Sequence, residues 1–248
     1  MDQLVAASCF AERLGELTPL TEAEERSLAR LEVRERSLRR GATLVRENEG
    51  AGDLDILKRG TLMSFVLLDD GSRQILRFHF PGDMLAVSGL VYRRSPETVV
   101  ALTDSMVCPF DRAEMTGIVT EHPRLAAIIM ALNQMERVAL TDRLAALGRT
   151  SAKGRVAALL LEIRNRMRAL DKGIDGTFTL GLTQEEIGDA TGLTAVHVNR
   201  MLRQLEDDRL VSREAGRVTF LNEAVLARVA NYTDRFSGID LSWLPAAR

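Results

Sequence analysis

The 248-residue sequence predicts an α+β chain made of an N-terminal β-barrel, a long dimerisation helix and a C-terminal winged helix-turn-helix. Three observations carry this reading. Short strand-like runs punctuated by glycine fill the stretch from Val33 to Phe110. An unbroken helical pattern runs from Arg124 to about Arg149. Two short capped helices then meet at a glycine turn and lead into a small hairpin between Thr183 and Phe220.

In the first region Gly41, Gly50, Gly52, Gly60, Gly71, Gly82 and Gly89 separate apolar runs. Asp69-Asp70-Gly71 is a hairpin signal and Pro81-Gly82-Asp83 another turn. Strands at this spacing predict a sandwich or barrel. A short helix from Thr21 to about Leu31 precedes them, opened by a threonine cap and early acids.

The second region has no glycine or proline between Arg124 and Gly148. Ile128, Leu132, Met135, Ala139, Asp142 and Ala146 recur at alternating steps of four and three, the spacing of a coiled-coil seam with one polar position. Dimerisation through this helix is the expectation, and a single helix buried in a monomer is the alternative. Gly148–Ser151 reads as a hinge with a new cap, followed by a helix over Ala152–Leu170. The expected division is 1–123, an effector-type barrel; 124–149, the dimerisation helix and hinge; and 150–248, the winged helix-turn-helix.

Thr183-Gln184-Glu185-Glu186 has the form of a capping box. Thr191-Gly192-Leu193 supplies a tight turn, and Thr194 caps a second helix whose Val198, Met201, Leu202 and Leu205 face inward. Ala195, Val196, His197, Asn199, Arg200 and Arg203 are left toward the outside. Leu210–Arg213, a turn at Ala215-Gly216, and Arg217–Phe220 form a wing. A helix, tight turn and helix of this length place the second helix in a DNA major groove. The residues expected at double-stranded DNA are therefore Thr183, Gln184, Thr194, Ala195, Val196, His197, Asn199, Arg200, Arg203, Arg213 and Arg217.

Charge alone does not announce this function. The formal net charge is −2. Residues 149–248 hold 15 Lys+Arg against 13 Asp+Glu, or +2, leaving 18 against 22, or −4, elsewhere. DNA binding then rests on local patches. The sequence contains no glycine-rich phosphate loop followed by lysine, no metal-spaced His/Glu set and no nucleophile elbow, so no enzyme is expected. Nor is a membrane span or a signal peptide, given Asp2 and Glu12 near the start. A cytoplasmic protein is the expectation. Cys9 and Cys108 do not form a cluster-binding set: Cys9 reads as a flexible N-terminal thiol and Cys108 as buried in a Val-Cys-Pro-Phe strand. His79 reads as a packed strand residue rather than a haem ligand, His122 as a helix-entry residue, and Met106, Met115, Met130 and Met135 as core filling. No cofactor is expected.

The order of barrel, long helix and winged helix-turn-helix resembles the Crp/Fnr family of bacterial transcription regulators over nearly the whole chain. Leu182–Gly188, Thr191–Thr194 and Arg200 resemble the family's DNA-binding signature. Arg40–Leu44 and Phe80–Asp83 resemble its cyclic-nucleotide-binding jelly roll. The resemblance implies a homodimer that reads a palindromic operator, works with RNA polymerase, and uses an arginine at the position of Arg200 to read a guanine. It also places the effector pocket at Ala86, Val87 and Ser88, with Arg93 and Arg94 close by. Ala86-Val87 stands where nucleotide-binding members carry a Gly-Glu pair, and Ser95-Pro96 falls near the position of their phosphate-binding arginine. The expected barrel therefore does not bind cyclic nucleotide, and its small-molecule effector is unknown. The alternative is a ligand-sensing barrel, for a cyclic nucleotide or another effector, that controls another protein; the helix-turn-helix and wing speak against it.

Overall fold

The computed structural model describes residues 8–235 and 238–247. Asp2, one of the two residues behind the signal-peptide reading, lies outside them. The chain divides into two compact units, one of Met1–Val66, Arg77–Glu136 and Ile239–Arg248, the other of Leu67–Leu76 and Arg137–Gly238.

Along the chain, helices α1 (Cys9–Gly15) and α2 (Glu22–Arg30) come first. The strands follow: β1 (Arg36–Leu38), β2 (Thr43–Val45), β3 (Leu54–Arg59), β4 (Leu62–Leu67), β5 (Arg73–His79), β6 (Met84–Leu85), β7 (Thr98–Ala101) and β8 (Ser105–Phe110). A short 3-10 turn, Val87–Leu90, separates β6 from β7, and α3 (Arg112–Glu121) and the 27-residue α4 (Pro123–Arg149) come last. The strands form two four-stranded sheets, β1-β8-β3-β6 and β2-β7-β4-β5, a jelly-roll-like sandwich rather than a closed barrel. Antiparallel registers such as Ile56↔Cys108 and Ser64↔Val99 fix which face of each strand is buried.

Two apolar clusters account for the packing. Leu57, Leu62, Leu85, Val99 and Val107 fill one. Leu54 and Ile56, on the other side of β3, join Phe10, Leu14, Leu28, Leu125, Ile128 and Leu132 in the second, so α1, α2 and the first turns of α4 cover that sheet. Burial on both faces explains why β3 begins as a run of buried residues without alternation. Turn chemistry is as the sequence implies: Gly71 and Gly82 have φ of 81° and 83°. At Gly82 a Cβ would stand 2.7 Å from the carbonyl oxygen of Cys9, so the loop's approach to α1 also demands glycine.

Several expectations need correction. Cys9 is no flexible thiol: it begins α1, is half-buried, and points its Sγ at the Lys58 carbonyl oxygen, 3.5 Å away. Buried Glu32 holds the start of that helix by accepting from Ser8 Oγ at 2.6 Å and from the Phe10 N–H at 3.0 Å. His122 is the helix-entry residue expected: it follows α3, directly precedes Pro123 at the start of α4, accepts from the Ala126 N–H at 3.2 Å, and bonds Ser27 Oγ through Nε2 at 2.6 Å. Met130 is exposed, not core. Ile128 and Leu132, the first two positions of the expected seam, are buried inside the first unit and have no surface to offer a partner. The four-three spacing does mark one apolar face, but at its N-terminal end that face belongs to the chain's own core. Cys108 is fully buried in β8 as expected.

The second unit holds α5 (Ala152–Leu170), β9 (Thr177–Thr179), α6 (Gln184–Thr191), α7 (Ala195–Asp207), β10 (Val211–Glu214), β11 (Arg217–Phe220) and α8 (Glu223–Ala230). Ser151 caps α5 by accepting from the Gly154 N–H at 3.1 Å. A Cβ on Gly154 would meet the Val229 carbonyl oxygen at 2.8 Å, so glycine sets how closely α5 and the end of α8 cross. Among the described residues no helix is long and apolar enough to cross a membrane, and no group of three or more His, Cys, Asp or Glu is placed to hold a metal ion.

Candidate nucleic-acid interface

The site begins with a cap. Thr183 Oγ1 accepts from the Glu186 N–H at 3.1 Å while Glu186 Oε2 accepts from the Thr183 N–H at 2.7 Å, so two orphan donors of α6 are satisfied reciprocally. Ile187 and Ala190 are buried, and Gly192 ends the helix in the left-handed conformation with φ 65°. Gly188 lets the turn close. Its carbonyl accepts from the Leu193 N–H at 3.0 Å, and a Cβ there would lie 2.4 Å from the Leu193 carbonyl oxygen.

Thr194 caps α7 by accepting from the His197 N–H at 3.3 Å. Val198, Met201, Leu202 and Leu205 form a buried stripe at helical spacing. Ala195, Asn199 and His197 are half-buried beside it, and Val196, Arg200 and Arg203 are exposed on the remaining surface, Val196 at 82%. Arg200 Nη2 lies 3.0 Å from His197 Nε2. Among the described residues no ion pair engages Arg200. Glu206, one acid that could have trapped it, is bound to Arg213 instead.

The wing is the antiparallel pair β10–β11, turned at Ala215 and Gly216 with φ 48° and 79°. Two consecutive left-handed residues are what a two-residue hairpin turn requires. Arg217 stands exposed beside the turn, opposite Glu214. Arg213 does something the sequence did not reveal: its Nη2 donates to Glu206 Oε2 at 2.7 Å, pinning the wing to the last turns of α7. That bond holds the Glu206 carboxyl below its ordinary range. Strand β9 adds a third strand through Phe178↔Val218, with Phe178 packed edge-on against Phe220 at 5.4 Å. The alternation of Thr177-Phe178-Thr179 was the available signal for it.

The structure thus gathers Ala195, Val196, His197, Asn199, Arg200 and Arg203 on one helix. It sets exposed Thr183 and Gln184 at the start of α6, exposed Thr194 at the start of α7, and Arg217 on the wing. Arg213 alone is diverted. In the first unit, Ala86 takes a left-handed φ of 56° before the Val87–Leu90 turn, and Val87 packs on the core. The Ser88 carbonyl accepts from the Val91 and Tyr92 N–H groups. Arg94 donates to the Asn48 carbonyl oxygen at 2.8 Å, and Arg93 is exposed. Burial pushes the Glu97 carboxyl up, offset in part by Ser64 and Arg77.

Comparison with known proteins decides the family. The family model for the Crp-like helix-turn-helix domain matches residues 154–229, and that for the cyclic nucleotide-binding domain matches residues 35–122. The nitrogen fixation regulation protein FixK of Bradyrhizobium diazoefficiens is 33% identical over 192 residues, 77% of this chain and 79% of that protein. The chain belongs to the Crp/Fnr family. It is a DNA-binding transcription regulator of that family. The transcriptional activator protein anr of Pseudomonas aeruginosa is 28% identical over 214 residues, covering 85% of this chain and 86% of that one. The solved structure of FixK2 from Bradyrhizobium japonicum superposes with a TM-score of 0.71 at 28% identity, covering 79% of this chain and 96% of that one. The two matched regions fall on the sandwich and on the α5–α8 segment, so this Crp/Fnr member pairs a fold of the cyclic nucleotide-binding type with a Crp-like helix-turn-helix.

Proposed function

We propose that the regulator acts in the cytoplasm as a homodimer on a palindromic operator, laying α7 of each copy in a major groove and meeting RNA polymerase there. Arg200 reads a guanine in each half-site through its O6 and N7 acceptors. Val196, the most exposed apolar residue of the helix, touches a thymine methyl beside it. Thr183, Thr194 and Arg217 hold phosphates and set the register. The observation that carries this reading is the exposed, ion-pair-free Arg200 on the side of α7 away from the Val198–Leu205 stripe. Binding-site selection from a random DNA pool tests it. Arg200→Ala should cost about 1–3 kcal/mol and relax selectivity at one base pair, whereas Arg217→Ala should weaken all sites alike. Equal loss across every selected site for Arg200→Ala would refute the base-reading role.

The proposed division of labour keeps residues 1–123 as effector domain, 124–149 as dimer helix and 150–248 as DNA reader. The dimer seam, however, is assigned to a different face of α4 from the one the spacing first suggested. Met130, Leu140 and Leu144 are exposed there, at 52%, 47% and 71%. With Asn133 and Arg137 between them they repeat at steps of three and four. Met135 and Ala146 are half-buried, Ala139 is exposed, and Asp142 is paired through both carboxylate oxygens with Arg235 at 2.8 Å.

The sandwich is proposed not to bind cyclic nucleotide. Ala86 and Val87 offer no side-chain hydrogen bond to a ribose, and Arg94 is already engaged by a backbone carbonyl. Glu97 adds a carboxylate close to where a phosphate would need a cation.

A further inference from the structure

His197 and Arg200 are three residues apart on α7, so their side chains leave the same face of the helix one turn apart. The 3.0 Å contact between His197 Nε2 and Arg200 Nη2 has only one possible polarity. A guanidinium carries donors and no acceptor. Nε2 must therefore accept, which requires a neutral imidazole with its proton on Nδ1. The backbone N–H of His197 donates to the capping Thr194 Oγ1, which fixes where the side chain leaves the helix, and the residue is half-buried. Arg200 is exposed, and among the described residues no ion pair engages it; of the acids at the end of α7, Glu206 is bound to Arg213 and Asp208 to Lys153, each at 2.7 Å.

An exposed arginine samples many rotamers, and ordering it against a base costs free energy on binding. A carboxylate partner would order it but would cancel the charge that the phosphate-lined groove attracts. A neutral ring nitrogen orders the guanidinium and leaves both its charge and its remaining donors for a guanine edge. We propose that His197 is a positioning residue that pre-orders Arg200, and so a determinant of how strongly the guanine is selected. The proposal rests on the assignment of Arg200 as the guanine reader.

The test is a double-mutant cycle on the full-length protein, read by operator affinity and by base preference at the Arg200 pair in randomised DNA. His197→Phe keeps a ring and removes the acceptor. It should lower operator affinity about three- to tenfold, the scale of one unordered long side chain, and flatten the guanine preference at that one pair. His197→Gln restores an acceptor and should recover most of both. In an Arg200→Ala background, His197→Phe should cause no further loss. The same fold loss in that background, no loss for His197→Phe, or no rescue by His197→Gln overturns the proposal. Unchanged base preference in Arg200→Ala itself overturns the guanine assignment, and the positioning role with it. Relaxed preference in Arg200→Ala with an additive cycle removes the positioning role alone.

Discussion

Leu144→Glu and Leu132→Ala separate the two faces of α4. Leu144 keeps 71% of its surface exposed in the single chain, whereas Leu132 keeps 3%. Complete burial of a leucine side chain is worth about 1.5–3 kcal/mol, and a two-fold dimer applies each substitution twice. Removing Leu144 from a dimer seam therefore costs roughly 2–4 kcal/mol before the added cost of a desolvated carboxylate, or about a hundredfold in the dimer dissociation constant. The same substitution on an exposed helix position of the isolated chain changes its stability by only about 0.5 kcal/mol. Leu132→Ala should do the opposite: it leaves a cavity among Leu125, Ile128 and Ile129 and costs about 2–5 kcal/mol of folding free energy, with the dimer constant little changed while the chain is folded. Sedimentation equilibrium over a range of concentrations reads association, and urea denaturation reads stability. A monomeric unmodified chain at micromolar concentration would refute the reasoning. So would Leu144→Glu that dimerises as tightly as the parent.

Gly188→Ala should lose several kcal/mol or fail to fold its helix-turn-helix, because the new methyl stands 2.4 Å from the Leu193 carbonyl oxygen; an unchanged melting profile contradicts that close approach. Burial raises the Asp55 carboxyl to about 6, with Asp53 adding to the rise and Arg36 and Arg34 opposing it. The native state thus holds this proton more tightly than the unfolded chain, so the stabilisation is complete below pH about 4 and is lost as pH rises through about 6, on the order of 2–3 kcal/mol. Asp55→Asn should flatten the stability profile across that window, and parallel profiles for the two proteins would exclude the effect. Cyclic AMP should give no saturable heat in calorimetry and no gain in operator affinity, whereas a micromolar binding isotherm would reinstate a nucleotide pocket.

Local rules made the DNA reader legible. Thr183, Glu186, Gly192 and Thr194 act within a few residues of themselves, so their spacing alone located α6, the turn and the start of α7, and the Val198–Leu205 stripe fixed which side of α7 faces inward. What stayed hidden depends on partners far away in the chain. Nothing near Ile128 or Leu132 says that Phe10 and Leu28 will cover them, so at these two positions a periodicity that suits a coiled coil equally suits the chain's own core. The same holds for Cys9, whose environment is made by Glu32 and by Lys58 on β3, both remote in sequence. From the sequence alone, Arg213 on the wing reads as a DNA contact. Only the fold brings Glu206 to within 2.7 Å.

The pairing of acids explains how a chain with net charge −2 can present a surface fit for a polyanion. The cations of α7, Arg200 and Arg203, lie in its first turns and middle, while Glu206, Asp207 and Asp208 lie at its end. A helix that reads DNA with its N-terminal residues keeps that acidic end farther from the bases. Two of the three carboxylates are also neutralised locally, Glu206 by the wing arginine and Asp208 by Lys153 at the start of α5. The same two bonds fasten the wing and α5 to α7, so the contacts that mask negative charge also hold the reader in shape. Electrostatics and geometry are then coupled at one place, and overall composition has little say in whether the surface binds DNA.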